Sequence, residues 1–266
     1  MERKAGAVGK DEMREGRTTM KTVSRLVLLL VVISCNHAAD NEQNKPLDIS
    51  TAHFRIHFTA GDASSSDQLK SVLEDNYARI CADLNVDTLP VITITFHASG
   101  SAFRSATGFS NLPSWVVGIA TSSTQVHVVS PASPDANRPF EEMMKVFVHE
   151  FTHCVTLHVN GTFANNPRWL WEAVSLYEAG QFSHPSALSG WEDNNLPTLA
   201  SLDANWQTNV DVYTAGYVMV EYILQTWDKQ HLVSLILSNG NIEATFGVPV
   251  PAFEQGWWKF LRDRYG

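Results

Sequence analysis

Residues 139–180 read PFEEMMKVFVHEFTHCVTLHVNGTFANNPRWLWEAVSLYEAG, and this stretch decides the fold of the 266-residue chain. Pro139 and the two glutamates after it mark the first turn of a helix, which Gly161 ends. Pro167 marks the first turn of a second helix, which Gly180 ends. The stretch therefore predicts two consecutive helices joined by a short loop.

The first of these helices contains the sequence His149-Glu150-Phe151-Thr152-His153. Histidines four residues apart lie on one face of a helix, at a spacing that lets both imidazoles reach a single Zn²⁺ ion. Glu150 points away from that line, toward the place where a water molecule on the metal would lie. This HExxH pattern predicts a zinc site in which Glu150 is a general base.

A third ligand is predicted on the second helix. Glu172 lies there with 18 residues between it and His153, and a carboxylate can complete a site with two histidines. An alternative interpretation is a polar surface helix followed by an amphipathic one. The neighbours of the histidines are strongly apolar, however, and burying two histidines and a glutamate among them without a partner is costly. A metal ion supplies such a partner.

Strands precede these helices along the chain, which is the order of an α+β protein. The predicted strands cover residues 53–58, 91–96, 115–120 and 125–129. Apolar residues at helical spacing between Leu69 and Leu84 predict one helix among the strands, and the pattern after Pro139 is helical almost to the end. We expect one domain over residues 49–266, with the sheet in about 49–158 and helices in about 159–266.

Composition excludes several classes of protein. Hydrophobic residues make up 44% of the chain, which is enough for a sizeable core and excludes global disorder. Lys and Arg number 19 against 28 Asp and Glu, and this acidic balance argues against nucleic acid as a partner. Three cysteines are too few for a disulfide scaffold. Cys81 and Cys154 either pair with each other or are small core residues.

Residues 20–34 have the pattern of a signal peptide. A basic flank precedes the apolar run Leu26–Ile33, which is too short to cross a bilayer but suits a signal peptide. Val32-Ile33-Ser34-Cys35 resembles the bacterial lipobox, in which the cysteine becomes the lipidated first residue. We expect a lipoprotein of the bacterial cell envelope, anchored through Cys35 and facing the periplasm or the exterior. The alternative is a secreted protein cleaved near Ala39.

Polar segments flank this signal peptide on both sides. Residues 1–19 form a polar leader, and Met20 is an alternative initiator that would leave this leader untranslated. Residues 35–48 are predicted to form a tether. Cleavage before Cys35 leaves 12 of the 19 Lys and Arg and 24 of the 28 Asp and Glu, so attachment to anionic lipid would have to come from acyl chains.

Taken together, these segments resemble the gluzincins, the peptidase MA-like clan of zinc metallopeptidases related to thermolysin and the zinc aminopeptidases. The pieces that match are His53–Ile56, His149–His153, Pro167–Glu172 with Tyr177 after it, and Tyr213–Gly216. The resemblance implies a small mixed sheet packed on the helix of the active site, followed by a mostly helical half. It also implies hydrolysis of a peptide or protein substrate with one zinc ion per chain. The alternative is a catalytically weak zinc-containing binding or structural lipoprotein that retains this fold.

The resemblance also implies roles for individual residues outside the zinc ligands. Tyr213 matches the tyrosine that zinc aminopeptidases use in the transition state, and Tyr217 is a rival on the same helical face. The strand motif by which aminopeptidases grip a free N-terminus is missing, and residues 115–120 occupy its place, so we expect an endopeptidase. A strand near Gly118–Ala120 would align an extended peptide. Leu176 replaces an aspartate that orients a histidine ligand in thermolysin, which leaves that role unassigned.

The remaining candidates have ordinary structural interpretations. His53 and His57 share the polar face of a strand and are expected to be exposed to solvent. His158 is five residues after His153, away from the ligand face, and is interpreted as a histidine at the end of a helix. The tryptophans near the C-terminus, Trp227, Trp257 and Trp258, are expected in the core or in an interface. The sequence does not indicate an oligomeric state.

Overall fold

The structure is a computed structural model that describes residues 46–204 and 210–266, all within one compact unit. The predicted leader, signal peptide and lipidated Cys35 lie outside these residues. No helix in the described part of the chain is both long and apolar enough to cross a membrane.

Five strands among the described residues form one mixed sheet. They are β1 Pro46–Ser50, β2 Phe54–Thr59, β3 Ile92–His97, β4 Gly118–Ser122 and β5 Gln125–Val129. Their order across the sheet is β1-β2-β3-β5-β4, in which β2, β3 and β5 are parallel and both edge strands are antiparallel to their neighbours. Alternate residues of β2 and β3 are buried, as the period of two predicts, so one face of the sheet is packed against the core.

Nine helices lie among the described residues. They are α1 Ser66–Asp83, α2 Gly100–Thr107, α3 Phe140–Val159, α4 Arg168–Glu178, α5 Leu199–Asp203, α6 Asp211–Thr226, α7 Lys229–Leu237, α8 Ile242–Phe246 and α9 Val250–Tyr265. Helix α3 covers the buried face of the sheet, with Phe147 stacked on Phe96 and Phe151 packed edge-to-face on Phe54. Helix α4 packs between α3 and α6. The α+β class is therefore confirmed.

Several predicted boundaries are wrong by a few residues. Residues 46–48 belong to β1, paired with β2, so the predicted tether does not extend through them. The strand predicted at 115–120 begins only at Gly118, because a turn in which the N–H of Val116 donates to the carbonyl of Pro113 precedes it. Helix α3 ends at Val159, and the extended backbone of Asn160 ends it before Gly161.

Two further outcomes concern residues that the sequence left open or did not single out. Cys81 and Cys154 are both buried and unpaired, which supports their interpretation as core residues. Helix α2 was not predicted from the sequence. The hydroxyl of Ser99 caps its start by accepting the N–H of Ala102, and Gly108 ends it in the left-handed conformation.

Candidate metal centre

The three predicted ligands lie together between α3 and α4. His149 and His153 lie one turn apart on α3, and the carboxylate of Glu172 on α4 faces both. Its Oε2 is 3.3 Å from Nε2 of His149 and 4.0 Å from Nε2 of His153. One ligand atom from each residue lies within 4.8 Å of the others, and all three residues are buried, so the group can hold a metal ion.

The far nitrogen of each imidazole is held by a polar side chain. His149 donates its Nδ1–H to Oε1 of Gln181 at 2.8 Å, and Nδ1 of His153 is 2.9 Å from the hydroxyl of Ser175. Such contacts fix the ring orientation and the tautomer of a metal-binding histidine. When His149 is neutral, its proton is on Nδ1, so Nε2 carries a lone pair that points at a carboxylate oxygen of Glu172. Two acceptors this close repel each other unless a proton or a metal cation lies between them.

The contacts of Gln181 and Ser175 answer the question that Leu176 raised in the sequence. Gly180 has a φ of +63°, and this left-handed residue lets the chain turn back at the end of α4. The N–H of Gln181 then donates to the carbonyl of Leu176, and the N–H of Gly180 to that of Tyr177. This pair of bonds is the Schellman motif, and it brings Gln181 back to His149. Ser175 could have been found from sequence, because it is one turn from Glu172 on the same helix.

An aromatic residue supports the second histidine. The indole of Trp171 stacks on the ring of His153, with centroids 4.0 Å apart and an angle of 5° between the planes. Burial and the charge of His149 hold the pKa of His153 well below its ordinary value, which keeps the ring in the neutral form that binds metal. For His149, burial also lowers the pKa, but the hydrogen bond to Glu172 and the two glutamate charges outweigh it and the pKa is raised.

Glu150 lies between α3 and the edge strand β4. Burial raises its pKa to about 7, against the opposing charge of His149, and the N–H of Ala120 donates to its carboxylate. The strand approaches so closely that a Cβ atom on Gly118 would lie 2.8 Å from Oε1 of Glu150. Glycine at 118 is therefore needed for this contact. A carboxylate with a pKa near neutrality can both accept and return a proton.

Tyr213 on α6 completes the cluster on the side of α4. The Nη2 atom of Arg168 donates to its hydroxyl at 3.2 Å, and the indole of Trp115 packs edge-to-face on its ring. Burial and the nearby charge of Glu172 raise the pKa of Tyr213, so its hydroxyl stays protonated and can donate a hydrogen bond. The rival Tyr217 packs instead against the rings of Tyr177 and Phe182.

The glycine of the Tyr-x-x-Gly segment explains how α6 comes close enough to α4. A Cβ atom on Gly216 would lie 2.9 Å from Cα of Ala173 and 2.5 Å from Cδ1 of Leu176. Only glycine permits this approach without displacing α4. Leu176, which replaces the aspartate of the thermolysin pattern, therefore contributes to the contact between these two helices.

The other histidines singled out in the sequence have no contact with this cluster. His53 and His57 each bond a carboxylate, Glu74 and Asp48, and their side chains are 38% exposed, so the expectation of exposure is confirmed only in part. His158 is exposed at the end of α3, as predicted. In the C-terminal helices, Trp257 is fully buried and Trp227 stacks on Phe253, in agreement with the predicted core positions.

The cluster is buried but retains access to solvent. His149, Glu150, His153 and Glu172 each keep between 5% and 8% of their surface exposed. Part of each of these four residues therefore remains in contact with solvent.

Comparison of the chain with protein-family models, with curated proteins and with solved structures finds no match.

Proposed function

We propose that this protein is a zinc-dependent hydrolase of peptide bonds. The observation that carries the proposal is the buried carboxylate of Glu172 facing two imidazole nitrogens, 3.3 and 4.0 Å away. Zn²⁺ with ligand bonds of about 2.0–2.1 Å in a tetrahedron separates neighbouring ligand atoms by about 3.3–3.4 Å. The 3.3 Å contact with His149 matches this spacing, and the 4.0 Å contact with His153 is longer and would have to shorten when the metal binds. Two histidines and one carboxylate are also a ligand set that suits zinc and leaves a position for water and substrate.

The residues around these ligands suit hydrolysis of an amide. A zinc ion held here supplies Lewis-acid activation of water and of the scissile carbonyl. Glu150 accepts the proton of the attacking water and returns it to the leaving amine. The hydroxyl of Tyr213 donates a hydrogen bond to the oxygen on which negative charge develops. Arg168 holds that hydroxyl in place and adds positive charge beside it.

The neighbouring strand favours an extended peptide as substrate. Strand β4 is at the edge of the sheet, with β5 as its pairing partner. An extended peptide can add to such an edge through main-chain hydrogen bonds. Gly118, the first residue of β4, lies against Glu150, so a peptide paired with β4 passes the general base. An antiparallel edge strand beside the helix of the histidines also agrees with the gluzincin resemblance, and we propose endopeptidase activity.

The test combines metal analysis with a digest of a peptide library. We expect close to one zinc ion per chain, cleavage of library peptides, and loss of cleavage with a zinc chelator that returns when zinc is added. Glu150→Gln should retain zinc and lose roughly 10²- to 10⁴-fold in turnover, because an amide cannot accept the proton.

Three other outcomes would each contradict a part of this proposal. Zinc without cleavage anywhere in a broad library would favour the binding or structural role. A stable wild-type protein that holds no zinc would overturn both interpretations. Undiminished cleavage by Glu150→Gln would remove the general base from the mechanism.

A further inference from the structure

A cavity of about 550 Å³ lies between α2, the segment before β4 and the segment before α3. Trp115 and Val116 line it, and the ring of Trp115 also packs on Tyr213, with centroids 5.4 Å apart. Arg104 on α2 and Arg138, just before α3, line the same cavity. Three separate segments of the chain thus bring two arginines and an aromatic ring together beside the proposed catalytic tyrosine.

The two arginines have no carboxylate partner in the part of the chain that the structure describes. The basic residues that form ion pairs with carboxylates there are Lys70, Arg79, Lys145, Lys229, Lys259 and Arg264. Asp135 also lines the cavity and keeps its negative charge, since its Oδ2 is bonded only by the N–H of Gly100 at 2.8 Å, so two arginines face one aspartate. The cavity therefore has an excess of positive charge on a chain whose net charge is −9. Such a cavity favours an anionic ligand.

One of the arginines is fixed to the segment that leads into β4. Nη2 of Arg138 donates to the carbonyl of Trp115 at 2.8 Å, which holds the guanidinium beside Trp115 in the lining of the cavity. A guanidinium has five N–H donors in a planar fork, and it matches a carboxylate better than any other side chain. The same segment continues from Trp115 to Gly118, which contacts Glu150.

The length of the segment from Trp115 to Gly118 limits the distance between the cavity and the peptide bond that faces Glu150. Gly118 follows Trp115 by three positions, and three residues of extended chain span at most about 10 Å. A peptide paired with β4 that continues past Gly118 reaches the cavity within about three residues of the bond facing Glu150. Its carboxylate, at the C-terminus or on an acidic side chain, would then meet Arg104 and Arg138.

We propose that this cavity binds a carboxylate of the peptide substrate through Arg104 and Arg138, within about three residues of the cleaved bond. The inference rests on the proposed peptidase function for the identity of its ligand. It names the class of substrate: peptides with a C-terminal carboxylate or an acidic side chain at that position.

The test uses binding, so that it does not depend on turnover. The full chain with Glu150→Gln, loaded with zinc, is titrated in a calorimeter with N-acetylated pentapeptides of Ala, Leu and Phe. The two peptides of the first pair differ only at the C-terminus, which is a free carboxylate in one and an amide in the other. Both peptides of the second pair end in an amide, and they differ only in the third residue, which is Glu in one and Gln in the other. These two pairs distinguish a terminal carboxylate from a side-chain carboxylate. The wild-type protein is assayed for cleavage of the same peptides.

We expect at least one carboxylate peptide to bind roughly 10-fold or more tightly than its neutral counterpart, as suits a charge-assisted hydrogen bond. Arg104→Ala and Arg138→Ala should each remove most of this preference. Arg104→Lys should restore part of it, because lysine keeps the charge without the planar fork. The matched control is Arg55→Ala, since Arg55 is exposed on β2 and should leave the preference unchanged. If Arg138→Ala unfolds through loss of its bond to Trp115, the Arg104 variants decide.

The outcomes separate this inference from the proposed function. Cleavage without any carboxylate preference, or a preference that survives both arginine substitutions, overturns the cavity proposal and leaves the peptidase intact. A preference that depends on the arginines, with no cleavage of these peptides or of the broad library, supports the cavity and refutes the peptidase. Binding of none of these peptides overturns the cavity proposal, and absence of cleavage in the broad library as well overturns both.

Discussion

Helix α4 contains two buried glutamates, Glu172 and Glu178, which are six residues apart. One of them is paired with an arginine of the chain and the other faces two histidines. Glu178 is 4% exposed, and its carboxylate accepts a hydrogen bond from the guanidinium of Arg79. Arg79 also donates to the backbone carbonyl of Glu178 at 2.6 Å, which ties α1 to the end of α4. Glu172 is 8% exposed, and its carboxylate faces the nitrogens of two histidines.

The comparison shows what a buried charge needs. Burying an ion without a partner is costly, and the protein supplies a cation for Glu178 from its own sequence. The groups that face Glu172 are imidazoles, one of which directs a lone pair at it when neutral. The cation that Glu172 requires can therefore come from outside the chain. We infer that Glu178 is a structural residue and Glu172 a ligand, and the following predictions test that distinction.

The largest effect is expected from the matched substitutions Glu172→Gln and Glu178→Gln. Glu172→Gln should weaken zinc binding by more than 100-fold, because loss of the partners behind a ligand alone costs roughly 10- to 100-fold. It should also abolish peptide cleavage. Glu178→Gln should keep zinc and cleavage, and lower the free energy of unfolding by about 1–2 kcal/mol, since partly exposed Arg79 still bonds the backbone carbonyl. Metal analysis and chemical denaturation measure the two effects.

An opposite pattern would break the comparison. Normal zinc content in Glu172→Gln, together with loss of zinc in Glu178→Gln, would mean that the ligand on α4 has been misassigned by six residues. Equal loss of stability in both variants without any change in zinc would mean that both glutamates are structural.

The next effect concerns the two tyrosines on α6 that the sequence could not separate. Tyr213→Phe should retain zinc and lose on the order of 10²-fold in turnover with little change in KM, because its hydrogen bond forms mainly in the transition state. Tyr217→Phe is the matched control, since its ring packs against Tyr177 and Phe182, and its effect should be mild. Steady-state kinetics on one cleaved peptide measure both. A damaging Tyr217→Phe with a mild Tyr213→Phe would reverse the assignment.

The grouping of His149, His153 and Glu172 was predictable from sequence because its geometry is local. Two histidines at i and i+4 share a helical face whatever the rest of the fold does. Glu172 follows on the next helix, whose proline and glycine boundaries are also visible in the sequence. The apolar residues around the histidines indicated a buried helix, and Phe147 and Phe151 pack on the sheet as that pattern required.

The supporting residues could not be predicted because they depend on how helices end and approach each other. Gln181 reaches His149 only because left-handed Gly180 turns the chain back. The choice between Tyr213 and Tyr217 depends on the close approach of α6 to α4 at Gly216. The cavity with Arg104 and Arg138 combines segments that are distant in the chain, which no local pattern reveals.

A smaller effect is expected from the residue that holds His149 from behind. Gln181→Ala should weaken zinc binding by roughly 10- to 100-fold, because the imidazole loses the acceptor that fixes its ring and tautomer. Gln181→Glu keeps an acceptor at that position and should retain most of the affinity. Competition with a zinc-binding dye measures both variants. Unchanged affinity in Gln181→Ala would mean that packing alone orients His149.

The smallest effect is a pH dependence of stability that belongs to Glu178. Burial raises its pKa to about 7 in the folded state, against the opposing charge of Arg79, whereas the ordinary value is 4.5. Between these values the folded protein binds more protons than the unfolded chain, so this contribution to stability is complete below pH 4.5 and is lost as the pH rises through 7.

Glutamine does not titrate, and both proteins keep the same metal centre. From pH 5 to pH 8 the Tm of the wild type should therefore fall relative to that of Glu178→Gln by several degrees, about the change that 2–3 kcal/mol produces. Thermal melts across this range measure it. A difference in Tm that stays constant with pH would mean that Glu178 is ionised across this range, because the charge of Arg79 lowers its pKa more than burial raises it. The pair would then be charged at every pH measured, whereas the carboxylate of Glu172 faces the nitrogens of two histidines.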